Sequence, residues 1–389
     1  MADLTVRAYN VRFGDAIFVT VPDRDPSTGK ETTRHILVDF GNALSTAGGD
    51  DSYFKPAIDS IMKELGDKPI DLYVMTHEHM DHVQGLFYAS TKIYPNGDFE
   101  KKLSVDYAWL TRSADPDYYK DFPKAHEQKK RLQLACEKIR RALEAHPVAR
   151  SEPFRSLLEN NNPRNTDQCV EYLRKVARKK TSYVNRGLAT TSTHPFLEAK
   201  LDIWAPEADA SDYYGKLQPM ALGVIDGSAG ADPTLVNPLP PAGVDAGAFY
   251  NLVRMRESGL TDNLLAIDKA ANNTSVVFSL KWRGWTLLFT GDAEIRSWQT
   301  MKKNNVLEPV HFLKVSHHGS HNGTPETEIL DLILPTPADK PRNAVISTYP
   351  HTYSGIPHAP TNNRIKKLCT LQTTMDHPTK EYLEVTFAG

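Results

Sequence analysis

Short apolar runs bounded by turn-forming residues dominate the two ends of the chain. They predict β-strands over Thr5 to Tyr9, Ala16 to Val21, His35 to Asp39, Asp71 to Thr76, Ser275 to Trp282, Thr286 to Thr290, His311 to Val315, Ala344 to Tyr349 and Tyr382 to Phe387. Apolar residues at helical spacing lie between them, over Tyr53 to Leu65, Glu326 to Ile333 and Thr361 to Leu368. Strands interrupted by helices, in two blocks of similar order, predict an α/β fold of the αββα sandwich type, with two mixed sheets face to face and helices outside. The sequence contains no solenoid repeat and no low-complexity tract.

The middle of the chain changes period. From Phe122 to His146 and from Gln168 to Lys180, apolar residues recur at helical spacing among many charges: Leu132, Cys136, Ile139 and Leu143, then Val170, Leu173 and Val176. Two amphipathic helices are expected. The chain therefore reads as a single domain, residues 1–389, with a basic, helical insertion over 100–195 and a loop-rich insertion over 208–265. The second insertion carries DGSAGADPTLVNPLPPAG and is too rich in Gly, Pro, Asp and Ser to hold a core.

Charge sharpens this division. Residues 121–180 hold 15 Lys or Arg against 8 Asp or Glu, about +7, in a chain whose formal net charge is −2. Such a segment is either a solvated helical cover on the sandwich or a groove that guides a phosphate backbone, so nucleic acid is an expected partner through 121–180. Tyr118, Tyr119, Tyr172 and Tyr183 are available to stack on bases, although packing is the usual role of tyrosine in a helical insert. A chain of 389 residues with 40% hydrophobic content can bury a large core. No apolar run approaches the roughly 18 residues that span a bilayer, and MADLTVRAYN lacks a hydrophobic signal core, so no membrane partner is expected. Cys136, Cys169 and Cys369 are odd in number without C-x-x-C spacing, which points to reduced thiols and a cytoplasmic setting.

The candidate chemistry begins directly after the apolar run IDLYVM, in Thr76-His77-Glu78-His79-Met80-Asp81-His82. Side chains two apart at a strand end share a face, so His77 and His79 suit one ion; Asp81 and His82, past the turn, suit a second. Downstream, SVVFSLKW and TLLFTGD form a hairpin-like pair that ends on Asp292, flanked by Gly291, where a carboxylate bridging two metals would stand. The stretch HFLKVSHHGSHNGT then delivers His317 and His318 into a glycine-containing loop. His317 is the expected terminal ligand, and His318 and Ser320 are expected to face the substrate. His311 and His321 read as packing or surface histidines. Imidazoles and carboxylates in this mixture suit two divalent ions, Zn²⁺ or Mn²⁺.

These pieces resemble the metallo-β-lactamase fold, and within it the soluble hydrolase domain of ComEC-type competence proteins and its stand-alone relatives. NVRFGDAIFV with Gly14 and Asp15, ILVDFGN with Asp39, Asn272-Asn273 with Ser275, LLFTGD and LKVSHHGS follow that family's blocks in order. AVISTYPHTYSGIPHAPTNNRIKKL is similar to its Gly-His-Pro-His-Pro block, with His358 on the second histidine and Ile356 in place of the first. The resemblance covers roughly 1–90 and 265–389. It implies metal-dependent phosphodiester hydrolysis of DNA or RNA by a metal-activated hydroxide, with Asp81 orienting the nucleophile and His318 or His358 contacting the phosphoryl oxygens or protonating the leaving oxygen. A phosphodiesterase of a small molecule or phospholipid headgroup is the alternative enzyme. A weakly active binding component of a multi-protein, defence-type system, with protein partners, is the non-catalytic alternative.

Two departures stand out. His79 replaces the Asp that many relatives carry at that position, and no histidine stands at a strand end between the first block and Asp292 to complete the first ion's shell. LDIWAPEA offers Trp204 there, and the gap holds only His126, His146 and His194. His194, before Pro195, is the best of the three. His358 or the amide of Asn272 or Asn273 are other candidates.

Overall fold

The computed structural model describes residues 2–42, 51–144, 160–161, 163–213, 268–325, 327–349 and 355–389. Seven strands form the first sheet: β1 (Leu4–Tyr9), β2 (Ile17–Arg24), β3 (Glu31–Val38), β4 (Ile70–Met75), β5 (Val105–Thr111), β6 (Ala177–Val184) and β13 (Tyr382–Phe387), in the order β13-β1-β2-β3-β4-β5-β6. Six form the second: β7 (Ala199–Ala205), β8 (Val277–Trp282), β9 (Trp285–Phe289), β10 (Phe312–Lys314), β11 (Asn343–Ile346) and β12 (Thr370–Thr373), in the order β12-β11-β10-β9-β8-β7. Pairing is antiparallel from β13 to β3 and parallel from β3 to β6. In the second sheet it is parallel from β12 to β9 and antiparallel from β9 to β7.

Strand periodicity divides the apolar residues between layers. Along β4, Leu72 and Val74 enter the core between the sheets, where they join Val19, Trp109, Leu280 and Phe289, while Tyr73 and Met75 face helices on the other side. Helices Asp51–Leu65, Met80–Tyr88 and Pro163–Arg174 supply that outer layer through Ile58, Val83 and Leu173. Ile295–Lys303, Thr327–Ile333 and Ala359–Lys366 cover the second sheet through Trp298, Leu330 and Ile365. Each fully buried side chain of this size stabilises the fold by roughly 1.5–3 kcal/mol. The expected αββα sandwich is thus the fold observed.

The central stretch departs from the expected helices. Gln168 to Lys180 is not one helix: the helix ends at Arg174 and the chain turns into β6, with β5 as its parallel neighbour. Arg178, Lys179 and Lys180 are exposed on β6, the edge of the sheet, where charged side chains block pairing with another strand. Basic residues in such a run look like the polar face of a helix until the sheet edge is known. The helix expected from Phe122 runs from Pro123 to Glu144. Most of the 208–265 stretch, from residue 214 on, lies outside the described residues, as does His146. No helix among the described residues is long and apolar enough to cross a membrane.

Parallel pairing decides where chemistry can occur. The carboxyl ends of β3, β4, β9, β10 and β11 lead directly into Asp39, His77, Asp292, His317 and Ser347, and loops at such strand ends are where ligands bind in parallel sheets.

Candidate metal centre

The loop after β4 is clamped by two others. Asp15 N–H donates to the Asp81 carbonyl at 3.0 Å, and Phe40 N–H donates to the His82 carbonyl at 2.9 Å. Gly41 permits this approach: a Cβ there would lie 2.4 Å from the Asp81 carbonyl carbon and the His82 nitrogen. Gly291 does the same from the second sheet, with φ +49° and a notional Cβ 2.7 Å from Cβ of Thr76. The sheets meet here, where Val276 N–H donates to the Thr76 carbonyl at 2.9 Å.

Four donors converge inside the clamp. Ring nitrogens of His82 and His318 and carboxylate oxygens of Asp81 and Asp292 all lie within 4.8 Å of one another, and all four residues are buried. His82 Nε2 stands 3.3 Å from Asp292 Oδ2, and His318 Nε2 stands 3.3 Å from both Asp81 Oδ2 and Asp292 Oδ2. Outer partners fix the tautomers. His82 Nδ1 donates to Asp39 Oδ2 at 2.8 Å, and His318 Nδ1 donates to the Ser347 carbonyl at 2.8 Å. Both acceptors lack protons, so each neutral imidazole turns the lone pair of Nε2 toward the same point, as metal-ligating histidines do. His82 Nε2, His318 Nε2 and Asp81 Oδ1 are buried without a hydrogen-bond partner.

A second pair stands alongside. Thr76 Oγ1 donates to Asp39 Oδ2 at 2.7 Å, so it accepts from His77 Nδ1 at 3.1 Å. Asn161 Nδ2 donates to Asp268 Oδ1 at 3.0 Å, which turns its Oδ1 toward His79 Nε2 at 3.1 Å. His77 Nε2 and His79 Nδ1 are then left facing each other at 3.0 Å, two lone pairs with no proton between them. Two nitrogens bound to one tetrahedral ion are about 3.3 Å apart, given metal–nitrogen bonds of about 2.0–2.1 Å. Burial, reinforced by His82 and His79, pushes the pKa of His77 well below its usual range, so a proton is a poor occupant of that gap.

Charge leads to the same conclusion. Among the described residues, Asp15, Asp39, Asp81 and Asp292 are buried beside a single ammonium, Lys314, which leaves a formal −3 when the imidazoles are neutral. Uncompensated charges in a dry interior cost several kcal/mol each. Lys314 ion-pairs with Asp15, donates to the Gly291 carbonyl at 3.0 Å and lies 3.5 Å from Asp292 Oδ1. Ser275 Oγ accepts from Asp292 N–H at 3.1 Å. Asp292 is therefore held from behind with Oδ2 toward the histidines. Protons answer the deficit in part. Burial opposes the charged form of His318, yet Asp292, Asp81 and Asp15 push its pKa up to about 10; His82 is likewise raised well above its usual range. Burial would raise Asp81, but His82 and His318 lower it to about 2. A divalent ion meets the same deficit with a geometry that fits the unpartnered atoms, and the nitrogen and oxygen donors suit Zn²⁺ or Mn²⁺.

The structure separates the remaining residues. His318 stands in the four-donor group, whereas His317 groups with Asp268 and Glu294, its Nδ1 3.6 Å from Glu294 Oε1. Burial, with Asn272 opposing and Asp268 adding, raises Glu294 to about 7. His358 caps the helix Ala359–Lys366, with Nδ1 2.9 Å from Thr361 Oγ1 and its ring 4.9 Å from that of His321; it lies outside the four-donor group. The Ser320 hydroxyl is engaged within its own loop, donating to Asn322 Oδ1 at 2.9 Å and accepting from Gly323 N–H at 3.0 Å. His194 packs between Trp109 and Phe196 instead of approaching the centre. Trp204 lies in the core beneath the second sheet, and His311 accepts from Thr286 N–H at 3.0 Å beside Trp285. Asn161, Asp268, Glu294 and Lys314 carried no motif. Only Lys314 left a signal, a lysine inside an otherwise apolar strand.

No protein-family model and no curated protein matches the chain. Among solved structures, the long-form RNase Z from yeast is similar at 10% sequence identity and a TM-score of 0.39. The likeness covers 98% of this chain, which spans 41% of that enzyme's length.

Proposed function

We propose that the centre is a metal-dependent phosphodiesterase that cleaves DNA or RNA, akin to the hydrolase domain of ComEC-type proteins. One observation carries this reading: four buried donors converge, three of them, His82 Nε2, His318 Nε2 and Asp81 Oδ1, without a hydrogen-bond partner, and Asp39 and Ser347 set the tautomers of the two histidines. In it, Asp81, His82, Asp292 and His318 would hold one ion, and His77 and His79 would hold a second. His318 thereby takes the ligand role expected of His317. Divalent ions in such a site supply Lewis acidity and lower the pKa of water to near neutrality. The chain does the rest. Lys314 and Ser275 fix the Asp292 carboxylate, Asp81 would orient the nucleophile, and His358, beside the loop of His317 and His318, would protonate the leaving oxygen.

The smaller-substrate alternative is favoured by how the basic stretch is used. Arg178 and Lys179 both pair with Asp106 at 2.7 Å, and Lys129 pairs with Glu78 at 2.7 Å, which weakens any field along that face. One experiment separates the readings: metal analysis of the purified protein, then hydrolysis of single- and double-stranded DNA, RNA and a bis-aryl phosphodiester with Mn²⁺ or Zn²⁺. Asp292→Ala and His82→Ala should lose both metal and hydrolysis. Turnover of the aryl ester alone favours the small substrate. A folded protein that takes up no ion from excess Mn²⁺ or Zn²⁺ overturns both readings.

A further inference from the structure

At the β1–β2 turn lies a pocket of about 300 Å³ lined by Asn10, Arg12, Tyr53, Pro378, Lys380 and Glu381 among others. Its organising residue is Arg12. The guanidinium is sandwiched between two aromatic rings, 4.3 Å from the centroid of Tyr53 and 4.0 Å from that of Tyr349. It donates to the Tyr53 hydroxyl from Nη2. Among the described residues no carboxylate forms an ion pair with it. Stacking fixes the plane of the fork at little entropic cost, and among the described residues its other N–H groups have no hydrogen-bond partner, which is the arrangement that recognises phosphate oxygens. Arg12 also sits at φ +70°, a conformation that non-glycine residues rarely adopt.

Chain continuity ties the pocket to the metal centre. Phe13, the next residue, packs its ring 4.3 Å from that of His318 and clusters with Tyr349 and Ile356. Tyr349 follows two residues after Ser347, which fixes the His318 tautomer. We propose that Arg12, clamped by Tyr53 and Tyr349, binds the phosphate of a polynucleotide that flanks the one being cut, with Lys380 adding charge across the pocket. This rests on the phosphodiesterase reading above and adds to it a substrate class with more than one phosphate.

Arg12→Gly is the informative variant, because glycine tolerates the positive φ and the fold should survive; Arg12→Lys keeps the charge without the fork. Steady-state kinetics on a short oligonucleotide and on a bis-aryl phosphodiester, which lacks a flanking phosphate, give the readout. Arg12→Gly should lower kcat/KM for the oligonucleotide at least tenfold more than for the aryl ester, chiefly through KM, with Arg12→Lys intermediate. Replacing one flanking phosphate of the oligonucleotide by a neutral methylphosphonate should reproduce the loss in wild type and add nothing in Arg12→Gly. Equal loss on both substrates, or no loss on either, overturns the proposal. Oligonucleotide binding in EDTA provides an arm that needs no turnover: the salt dependence of affinity should fall by about one phosphate contact in Arg12→Gly. If wild type cleaves no phosphodiester, the function above fails while this arm still decides Arg12, and an unchanged salt slope refutes its role.

Discussion

Asp39→Asn is a nearly isosteric change whose consequence follows from proton positions alone. Asp39 is fully buried at φ +55°, a region that asparagine also tolerates, so the backbone is undisturbed. Its Oδ1 accepts from Thr76 N–H at 2.8 Å, and its Oδ2 accepts from Thr76 Oγ1 at 2.7 Å and from His82 Nδ1 at 2.8 Å. An amide offers only one acceptor. If its NH₂ faces His82, Nδ1 must accept, the ring proton moves to Nε2, and the lone pair directed at the ion is lost. If the amide turns over, two donors meet at Thr76, and each unsatisfied buried group costs about 1–3 kcal/mol. Loss of an outer partner of this kind weakens metal binding about 10–100-fold, or about 1.4–2.7 kcal/mol. Removal of one negative charge acts in the same direction. Competition against a chromophoric chelator measures the affinity for Zn²⁺ or Mn²⁺, with circular dichroism to establish that the variant is folded. An affinity within twofold of wild type in a folded protein would refute the tautomer argument.

Other outcomes follow from the same geometry. His318→Ala should reduce bound metal by at least tenfold more than His317→Ala, read by metal analysis after dialysis; the reverse order would return the ligand role to His317. Because His318 is raised to about 10 and His82 well above its usual range, metal uptake at neutral pH must displace protons from them, and affinity should rise with pH toward 10. Calorimetry in buffers of different ionisation enthalpy tests this, and identical heats would contradict it. Away from the centre, burial, with Lys68 adding, holds His35 near 4 against an ordinary 6.5. The folded state keeps this ring neutral, so its contribution is fully present above pH 6.5 and is lost as pH falls toward 4, by roughly 3 kcal/mol at most. In His35→Gln, denaturant unfolding across that window should show a shallower fall, and an unchanged slope excludes the assignment.

What the sequence could reveal depended on how local the cause was. The first cluster was legible because IDLYVM is a continuously buried parallel strand and its carboxyl end must open onto a ligand-binding edge. Asp292 was legible from the hairpin-like pair of apolar runs that ends on Gly291-Asp292. The division of labour between His317 and His318 was not. Adjacent residues in an extended loop point to opposite sides, and the first was expected at the metal, but both adopt left-handed backbone, φ +48° and +51°, which re-aims the second ring into the centre. Asn161 and Asp268 reach His79 from 82 residues away and beyond, a distance over which no pattern in the chain carries information. Burial on both faces makes β4 unmistakable, whereas the exposed charges from Arg178 to Lys180 fit a helix and a sheet edge equally well until the neighbouring strand is placed.

Backbone strain marks the centre independently of any side-chain chemistry. Seven non-glycine residues among those described have positive φ; Asn96, Asn305 and Arg283 lie in turns, and the other four, Arg12, Asp39, His317 and His318, surround the centre. Each such residue costs on the order of 1–3 kcal/mol and persists only where its surroundings over-determine it. Here they do: His317 N–H donates to the Gly291 carbonyl at 3.3 Å, Ser320 N–H to the His317 carbonyl at 2.8 Å and His358 N–H to the Gly319 carbonyl at 2.8 Å. The loop is thus held by backbone hydrogen bonds that use none of the four converging donor atoms. It follows that hydrogen exchange at the amides of His317, Ser320 and His358 should slow by less than tenfold when Zn²⁺ or Mn²⁺ is added at neutral pH. Slowing by several orders of magnitude would mean that the ion itself folds this loop, and the strain would then be a consequence of binding rather than a preparation for it.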